Sequence, residues 1–133
     1  MDQRLLEQAT QMANRIGHIF VATADSDKRP HLAVARRMVL KEPERVAVQE
    51  WFCPGTMENL QMNSHVSLVI WDENIDRGFQ LIGDTERISD VGVLDGYFPQ
   101  EHNRTIPQTD YQLLIKVTKV IDFTRSPHSD IEE

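Results

Sequence analysis

Apolar residues follow a helical period at the start of the chain and a period of two through most of the rest. One face of a predicted first helix carries Leu5, Leu6, Ala9, Met12, Ala13 and Ile16. Gly17 follows this apolar face and is a residue that commonly ends helices. The segment 1–17 is therefore predicted to form a helix that covers one side of the remaining fold.

Six later segments have the composition or the alternation of strands, with turn residues between them. The polar turn 24–30 joins the first two strands and predicts a hairpin. In the last strand, alternation predicts one shared face for Tyr111, Leu113, Ile115, Val117, Ile121 and Phe123. The predicted strands are 18–23, 31–40, 45–52, 66–71, 78–88 and 111–123.

The remaining segments are short and less regular. The pattern predicts a helix over 56–63, with the Thr56 hydroxyl as an N-cap for the N–H of Asn59. A helical turn is predicted at 92–98, an irregular segment at 99–109 and a polar tail at 126–133. Strands in this order, without regular helices between them, predict a mainly β protein with an antiparallel barrel. A chain of 133 residues predicts a single domain over 1–133.

Charge and composition limit the classes of partner and of site that this protein can have. The formal net charge of −7 disfavours nucleic-acid binding, since DNA would be repelled. No apolar run is long enough to span a membrane, and Cys53 is the only cysteine, so we expect a cytoplasmic protein without an intrachain disulfide. The five histidines lack the spacing of metal ligands, and no Ser-His-Asp or Cys-His arrangement is predicted. We therefore expect no metal site and no catalytic side chain.

The stretch from Arg36 to Asn63 has the features of a phosphate site. An arginine within an apolar strand is costly unless an anion compensates it. The turn formed by Pro54, Gly55 and Thr56 opens a helix, and N–H groups at a helix start attract anions. One phosphorylated cofactor would satisfy both features.

Each candidate residue also has an ordinary structural role. Alternation sends Arg36 and Arg37 to opposite faces unless a bulge intervenes, so one of them could be a surface residue. Thr56 could be only a helix cap, and a buried amide at Gln80, among apolar neighbours, needs some hydrogen-bond partner. The other residues with such alternatives are Trp51 and Phe52 (core or dimer interface), Asn59 (solvated helix face) and Cys53 (small core residue).

The order of these motifs resembles the FMN-binding split barrels related to pyridoxamine 5'-phosphate oxidase. The resemblance covers residues 3–123 and rests on an initial helix followed by HIFVATADSDKRPHLAVARRMVLK, RVAVQEWFCPGTMENLQMNSHVSLVIWD and RGFQLIGDTERISD. The family's phosphate-binding strand commonly begins Arg-x-Val-Leu, which Arg37, Val39 and Leu40 match. The resemblance implies a Greek-key split β-barrel. It also implies FMN contacts from Arg36, Arg37, Met38, Val39, Glu50, Trp51, Phe52, Gly55, Thr56, Asn59 and Gln80.

The chain departs from the oxidases at two places. Pro54-Gly55-Thr56 replaces a Ser-Arg-Lys phosphate clamp, so the cationic share falls to Arg36, Arg37 and Lys41. The Arg- and Trp-containing segment that grips the pyridoxal substrate has no counterpart, so vitamin-B6 oxidase activity is not expected.

The resemblance implies a homodimer with FMN in the groove between subunits, since a small barrel has little room for a tricyclic ring. The expected activity is electron or hydride transfer through FMN between a small-molecule donor and acceptor. The alternative is a non-catalytic flavin or phosphate-ligand binder or sensor. A haem-handling relative is a third reading, for which no histidine is placed as an axial ligand.

Overall fold

Seven antiparallel strands and two helices make up the part of the chain that the computed structural model describes, residues 1–51, 53–90 and 111–125. The helices are α1 (Gln3–Ile16) and α2 (Pro54–Met62). The strands are β1 (Ile19–Ala24), β2 (Pro30–Ala35), β3 (Arg37–Lys41), β4 (Arg45–Trp51), β5 (His65–Asp72), β6 (Arg77–Asp90) and β7 (Tyr111–Phe123). Predictions for Phe52, 92–98, 99–109 and 126–133 lie outside the described residues.

A single sheet holds these strands in the order β2-β1-β5-β6-β7-β4-β3, with every neighbouring pair antiparallel. The first and last strands of that order, β2 and β3, are separated in the chain only by Arg36. The sheet must therefore curl until its two edges approach, which brings β2 against β4. This curled half-barrel confirms the predicted antiparallel split β-barrel.

The core lies inside the curl and beneath α1. The apolar face of α1 packs on β3, β5, β6 and β7, as the sequence pattern predicts. Burying one large apolar side chain in this core stabilises the folded state by about 1.5–3 kcal/mol. The largest fully buried side chains are Phe79, Leu6, Ile19, Met38, Leu68, Ile70, Leu81, Leu113, Ile115, Val21, Val46 and Val48. Among the described residues, no helix is both long and apolar enough to cross a membrane.

Both ends of α1 are fixed by its own sequence. Asp2 accepts hydrogen bonds from the backbone N–H groups of Arg4 and Leu5 at 2.9 and 3.3 Å, which satisfies two free donors of the first turn. Gly17 ends the helix with a φ of 92°, a left-handed value that glycine adopts without strain. The predicted helix end at Gly17 is confirmed.

The predicted strand 31–40 is wrong as one element. Residues up to Ala35 pair with β1, whereas those from Arg37 onward pair with β4 at the other edge of the sheet. Arg36 lies at the bend between the two strands. In the described residues seven strands form where six are predicted, because one continuous polar and apolar alternation spans two strands.

The predicted alternation of β7 holds only for its first half. The pairing of β6 with β7 shifts between Ile82 and Gly83, so that Lys119 and Val117 face successive residues of β6. The extra residue, Thr118, reverses the phase of the strand. Val120 then packs on the core, while Phe123 stacks on Trp71 at 5.6 Å between ring centroids, on the outer face.

Candidate functional site

Two arginines and one glutamate meet where β3 begins and β4 ends. Glu50 has a φ of 62° and sits at a register shift between β4 and β7, so the strand bulges there. Its carboxylate lies 3.6 Å from Arg36 Nε and 3.6 Å from Arg37 Nη1. Because Arg36 lies at a bend and not within a strand, the two arginines reach the same partner instead of opposite faces.

This arrangement corrects the premise of a buried arginine. The side chains of Arg36 and Arg37 are 73% and 57% exposed, so water and Glu50 together compensate their charge. One carboxylate between two guanidinium groups still leaves a net positive charge. The two arginines and Glu50 line a cleft of about 350 Å³ with Asn14 and Gly17, which is at the small end of ligand pockets. We call this the arginine cleft.

Helix α2 begins earlier than predicted, and Thr56 is not its N-cap. Cys53 occupies the N-cap position with extended backbone and makes no side-chain capping bond. Pro54 follows at the first helical position, where its fixed φ and missing N–H suit a helix start. Thr56 therefore lies inside the first turn, and Asn63 is the C-cap.

A histidine from β2 lies against this helix start. His31 Nε2 is 3.9 Å from Cys53 Sγ. A Cβ at Gly55 would lie 3.0 Å from His31 Nε2, which is tighter than an ordinary contact, so the imidazole would have to move to admit a side chain there. The expectation of no Cys-His arrangement is therefore wrong. No local signal marks the pair, because 22 residues separate them in the chain and only the curl of the sheet brings them together.

Three buried polar atoms, on residues that lie in the first turn of α2, contact its start or closely precede it in the chain, have no hydrogen-bond partner. They are His31 Nδ1, Trp51 Nε1 and Thr56 Oγ1, and Thr85 Oγ1 is the fourth such atom in the described part of the chain. Buried polar atoms in proteins are normally paired, so a cluster without partners marks a place where a ligand group could bind. We call His31, Trp51, Cys53, Gly55 and Thr56 the helix-start cluster.

The thiol of Cys53 is affected by the same surroundings. Burial raises the pKa of the thiol. The Thr56 hydroxyl and the N–H groups of Thr56 and Gly55 together lower the pKa by a larger amount, so it lies below the ordinary value. The Thr56 hydroxyl makes no hydrogen bond of good geometry in the structure, so its effect on the pKa is that of a donor close enough to reach the thiolate once it forms. Donor groups at a helix start favour the thiolate over the thiol.

The arginine cleft and the helix-start cluster are close to one another. Three peptide steps separate Glu50 from Cys53, and a chain of three residues spans at most about 11 Å. The Cα atoms of Glu50 and Cys53 therefore lie within about 11 Å of each other. Trp51 lies between them in sequence and contacts the ring of Tyr111 at 5.8 Å.

Other predicted site residues have partners within the fold. Asn59 is buried and donates a hydrogen bond to Thr23 Oγ1 at 3.0 Å, and it is not a solvated helix residue. Gln80 donates to Ser67 Oγ at 3.0 Å from the outer face of β6, three strands away from β3. The side chains of Asn59 and Gln80 therefore already have hydrogen-bond partners within the protein.

The predicted residues of β3 are divided between its two faces. Met38 is fully buried in the core and Val39 is half-buried on the opposite face. Lys41 ends the strand four residues beyond Arg37, roughly 13 Å along it, so Lys41 does not join the arginine cleft. Among the described residues, no group of three histidine, cysteine, aspartate or glutamate side chains could hold a metal ion.

Comparison with known proteins finds the same fold in solved structures. No family model and no curated protein matches the sequence. A Clostridium acetobutylicum protein described as related to general stress protein 26, of the pyridoxinephosphate oxidase family, superposes with a TM-score of 0.69 and 16% identity over 99% of this chain and 96% of its own. An FMN-binding protein from Syntrophomonas wolfei gives a TM-score of 0.66 and 18% identity over 92% and 88%.

A third similar structure carries the family name itself. It is a pyridoxamine 5'-phosphate oxidase-related, FMN-binding protein from Nostoc punctiforme, with a TM-score of 0.62 and 11% identity over 95% of this chain and 86% of its own. At such identities the likeness establishes the fold. The chain has the split-barrel fold of the pyridoxamine 5'-phosphate oxidase-related FMN-binding proteins, and the resemblance seen in the sequence is confirmed at that level.

Proposed function

We propose that this protein is an FMN-binding flavoprotein, working as a homodimer in the cytoplasm, that passes electrons or hydride between small molecules. The observation that carries the proposal is the unpartnered helix-start cluster beside a net-positive arginine cleft. The names of the similar structures support a flavin-type cofactor, since two are FMN-binding proteins and another is an F420 reductase. A free cysteine is in keeping with a reducing compartment.

The phosphate of FMN would lie between the two groups of residues. Arg37 and Arg36 would supply positive charge, and the N–H groups of Gly55 and Thr56 would donate hydrogen bonds. Glu50 would keep the two guanidinium groups together while the site is empty. The Thr56 hydroxyl and Trp51 Nε1 would find in the cofactor the polar partners they lack.

The proposed chemistry belongs to FMN, which supplies electron and hydride transfer when it is bound. The side chains of the chain would bind and orient it and exclude water from its ring. The donor and acceptor are small molecules that the fold does not specify. A non-catalytic carrier is the second candidate, and the observation that favours it is Pro54-Gly55-Thr56, which replaces the cationic Ser-Arg-Lys clamp of the oxidases.

An affinity comparison tests the phosphate site. If Arg37 pairs with the phosphate, Arg37→Ala should weaken FMN binding by about 2 kcal/mol, or about thirtyfold, because a charge-assisted hydrogen bond is lost. Riboflavin lacks the phosphate and should bind the parent and the variant equally. Arg29→Ala in the exposed 24–30 turn is the matched control, since it removes one arginine from a surface ion pair elsewhere.

Thr56→Val provides a second arm of the same titration. It keeps the shape of the side chain and removes only the hydroxyl, so FMN affinity should fall while riboflavin affinity is retained. Unchanged FMN affinity in both Arg37→Ala and Thr56→Val would rule out this phosphate site. A flavin spectrum that bleaches with a reduced nicotinamide would support the oxidoreductase, whereas bound flavin inert to all donors would support the carrier.

A further inference from the structure

We propose that Cys53 is a nucleophilic thiol that exchanges with small disulfides, with His31 as its proton acceptor. This proposal does not rest on the flavin proposal, because the thiol chemistry needs no cofactor, although both sites use donor groups of Gly55 and Thr56. It rests on three features of the described residues: the contact between the two side chains, the position of Cys53 at a helix start, and the unpartnered polar atoms beside it.

The contact sets the first requirement for a reactive thiol. Cys53 Sγ lies 3.9 Å from His31 Nε2, a distance at which the ring nitrogen can take the thiol proton after a small approach. Pairing with a protonated imidazole is one of the ways in which proteins stabilise a thiolate. Cys53 is also only partly buried, so a small reagent can reach the sulfur.

The position at the N-cap of α2 sets the second requirement. The N–H groups of Gly55 and Thr56 lie in the first turn, where no helical carbonyl accepts them, and they act on the Cys53 sulfur. The helix has nine residues, enough to place a positive partial charge at its start. These donors favour the thiolate, in agreement with the lowered pKa of the thiol, and His31 adds a candidate proton acceptor in contact with the sulfur.

Unpartnered polar atoms provide the independent sign of a ligand. Thr56 is fully buried, its hydroxyl lies near Cys53, and it has no hydrogen-bond partner. His31 Nδ1 is likewise buried without a partner. A disulfide of the peptide-thiol class carries amide and carboxylate groups beside its sulfur atoms, and these could pair with both atoms as the sulfur reaches Cys53.

The exchange balances without a further reagent. His31 accepts the proton from Cys53, and the thiolate attacks one sulfur of the disulfide. A new S–S bond forms at Cys53 as the old one breaks, and the departing thiolate takes a proton from His31 or from water. Since the chain has a single cysteine, no second thiol of the same chain can displace the adduct. The mixed disulfide should therefore persist until an external thiol removes it.

Intact mass measurement after incubation with oxidised glutathione tests the proposal. The full-length protein as purified should gain one glutathione at pH 7, at a rate about tenfold above that of an unperturbed model thiol, and should lose it on adding a reductant. His31→Gln should slow the exchange about tenfold, because a change of one pKa unit alters the thiolate fraction tenfold below the pKa. Cys53→Ser should take up nothing.

His18→Gln is the matched control, since His18 is exposed and contacts Phe20 instead of the thiol. It should leave the exchange rate unchanged. A rate in His31→Gln equal to the parent rate would overturn the role of His31. A parent rate equal to that of the model thiol would overturn the site as a whole.

A second measurement keeps the test valid if His31→Gln is unstable. The rate of alkylation of the parent by neutral iodoacetamide should rise with pH at a lower midpoint in the folded than in the urea-unfolded protein. In the described residues, His31 is the titratable side chain in contact with the thiol. Equal midpoints would contradict the proposal. Failure here leaves the FMN titrations unaffected, because those report on Arg37 and Thr56 with Cys53 intact.

Discussion

Arg15 and Asp72 link the last turn of α1 to the end of β5. Arg15 Nη1 donates a hydrogen bond to Asp72 Oδ2 at 2.7 Å, and the Asp72 side chain is only 6% exposed. Asp72 Oδ1 also accepts the N–H of Asn74, which fixes the turn that leads into β6. One carboxylate thus connects a helix, a strand and a turn.

Acid should weaken this link. The hydrogen bond from Arg15 lowers the pKa of Asp72 in the folded state, and the Asn74 N–H adds to the effect, although burial acts against them. A carboxyl with a folded-state pKa below its unfolded value stabilises the protein above about pH 4, and the stabilisation is lost as pH falls through the folded-state pKa.

Asp72→Asn should therefore lower the free energy of unfolding at pH 7 and reduce its loss on acidification below pH 4. Urea unfolding of the parent and the variant, at pH 7 and again below pH 4, measures the two effects. Glu86 also has a lowered pKa, caused first by its hydrogen bond with Arg45, so some acid sensitivity remains in the variant. An acid slope identical to that of the parent would contradict the assigned role of Asp72.

For single residues, the amino-acid type predicts what a side chain can bind better than it predicts which side chains lie next to it. Arg36, Arg37 and Thr56 were singled out from their residue types, and each lies in or beside an unusual polar environment. Their partners were not predictable, because Glu50 reaches both arginines only through a bulge. His31 was missed since a histidine in a hairpin strand carries no pattern that points to a cysteine 22 residues away.

Among the elements, β3 is held by a side chain of α1. Asn14 donates to Met38 O at 2.8 Å and accepts from Met38 N at 3.1 Å, so its amide acts as a substitute strand partner at the edge of the sheet. An unpaired edge strand exposes free backbone groups. Asn14 also lines the arginine cleft, so the same contact fixes the strand that presents Arg37.

Asn14→Ala should destabilise the protein by about 1 kcal/mol, because both backbone groups of Met38 lose their partner at a partly exposed site. Chemical denaturation measures the change. Gln11→Ala, on the exposed face of the same helix, controls for the gain in helix propensity and should be neutral or slightly stabilising. Equal stability of the Asn14 and Gln11 variants would show that the edge of β3 does not depend on this amide.

Helices and strands can be predicted well where the hydrophobic period coincides with a residue that marks the end of the element. Helix α1 has an apolar face and Gly17, and its range was predicted closely. The start of α2 was placed two residues late, because a threonine cap was preferred over the proline that begins the helix at Pro54. The pattern predicts one strand over 31–40 because the alternation runs through the bend at Arg36, and alternation indicates the face of a residue but not its partner strand.

For the molecule as a whole, the outer face of the sheet presents exposed apolar side chains to which a second subunit could bind. Leu32 and Val34 on β2 are 62% and 56% exposed. The register places Val34 in a row with Phe20 and Val69 on the same face. Large exposed apolar patches commonly mark protein interfaces, and this one supports the proposed homodimer.

Leu32→Glu should weaken dimerisation at least tenfold, since burying an unpaired carboxylate costs more than 1.4 kcal/mol, or about one factor of ten. Sedimentation of the parent at micromolar concentration should give twice the 15.4 kDa chain mass, and the variant should shift toward the monomer. Met62→Glu adds the same charge at an exposed residue of α2 and serves as the control. A parent that is monomeric and still binds flavin would refute the groove between subunits.

The global arrangement was predictable as a class of fold because strand-rich order and short connections permit few alternatives. The curl that joins β2 to β4, and so creates the helix-start cluster, follows from pairing between distant segments. Such pairing leaves no trace in local periodicity. The resemblance to a family predicts the barrel, whereas the side-chain contacts within it depend on how this particular chain folds.

The positions of the two tryptophans have an optical consequence. Trp51 is a buried member of the helix-start cluster, and Trp71 stacks on Phe123 on the outer face of the sheet. The chain thus carries one intrinsic fluorophore at the proposed cofactor site and another near the proposed subunit contact. Replacing either tryptophan by phenylalanine would leave a protein whose emission reports separately on flavin loading or on assembly, without any attached dye.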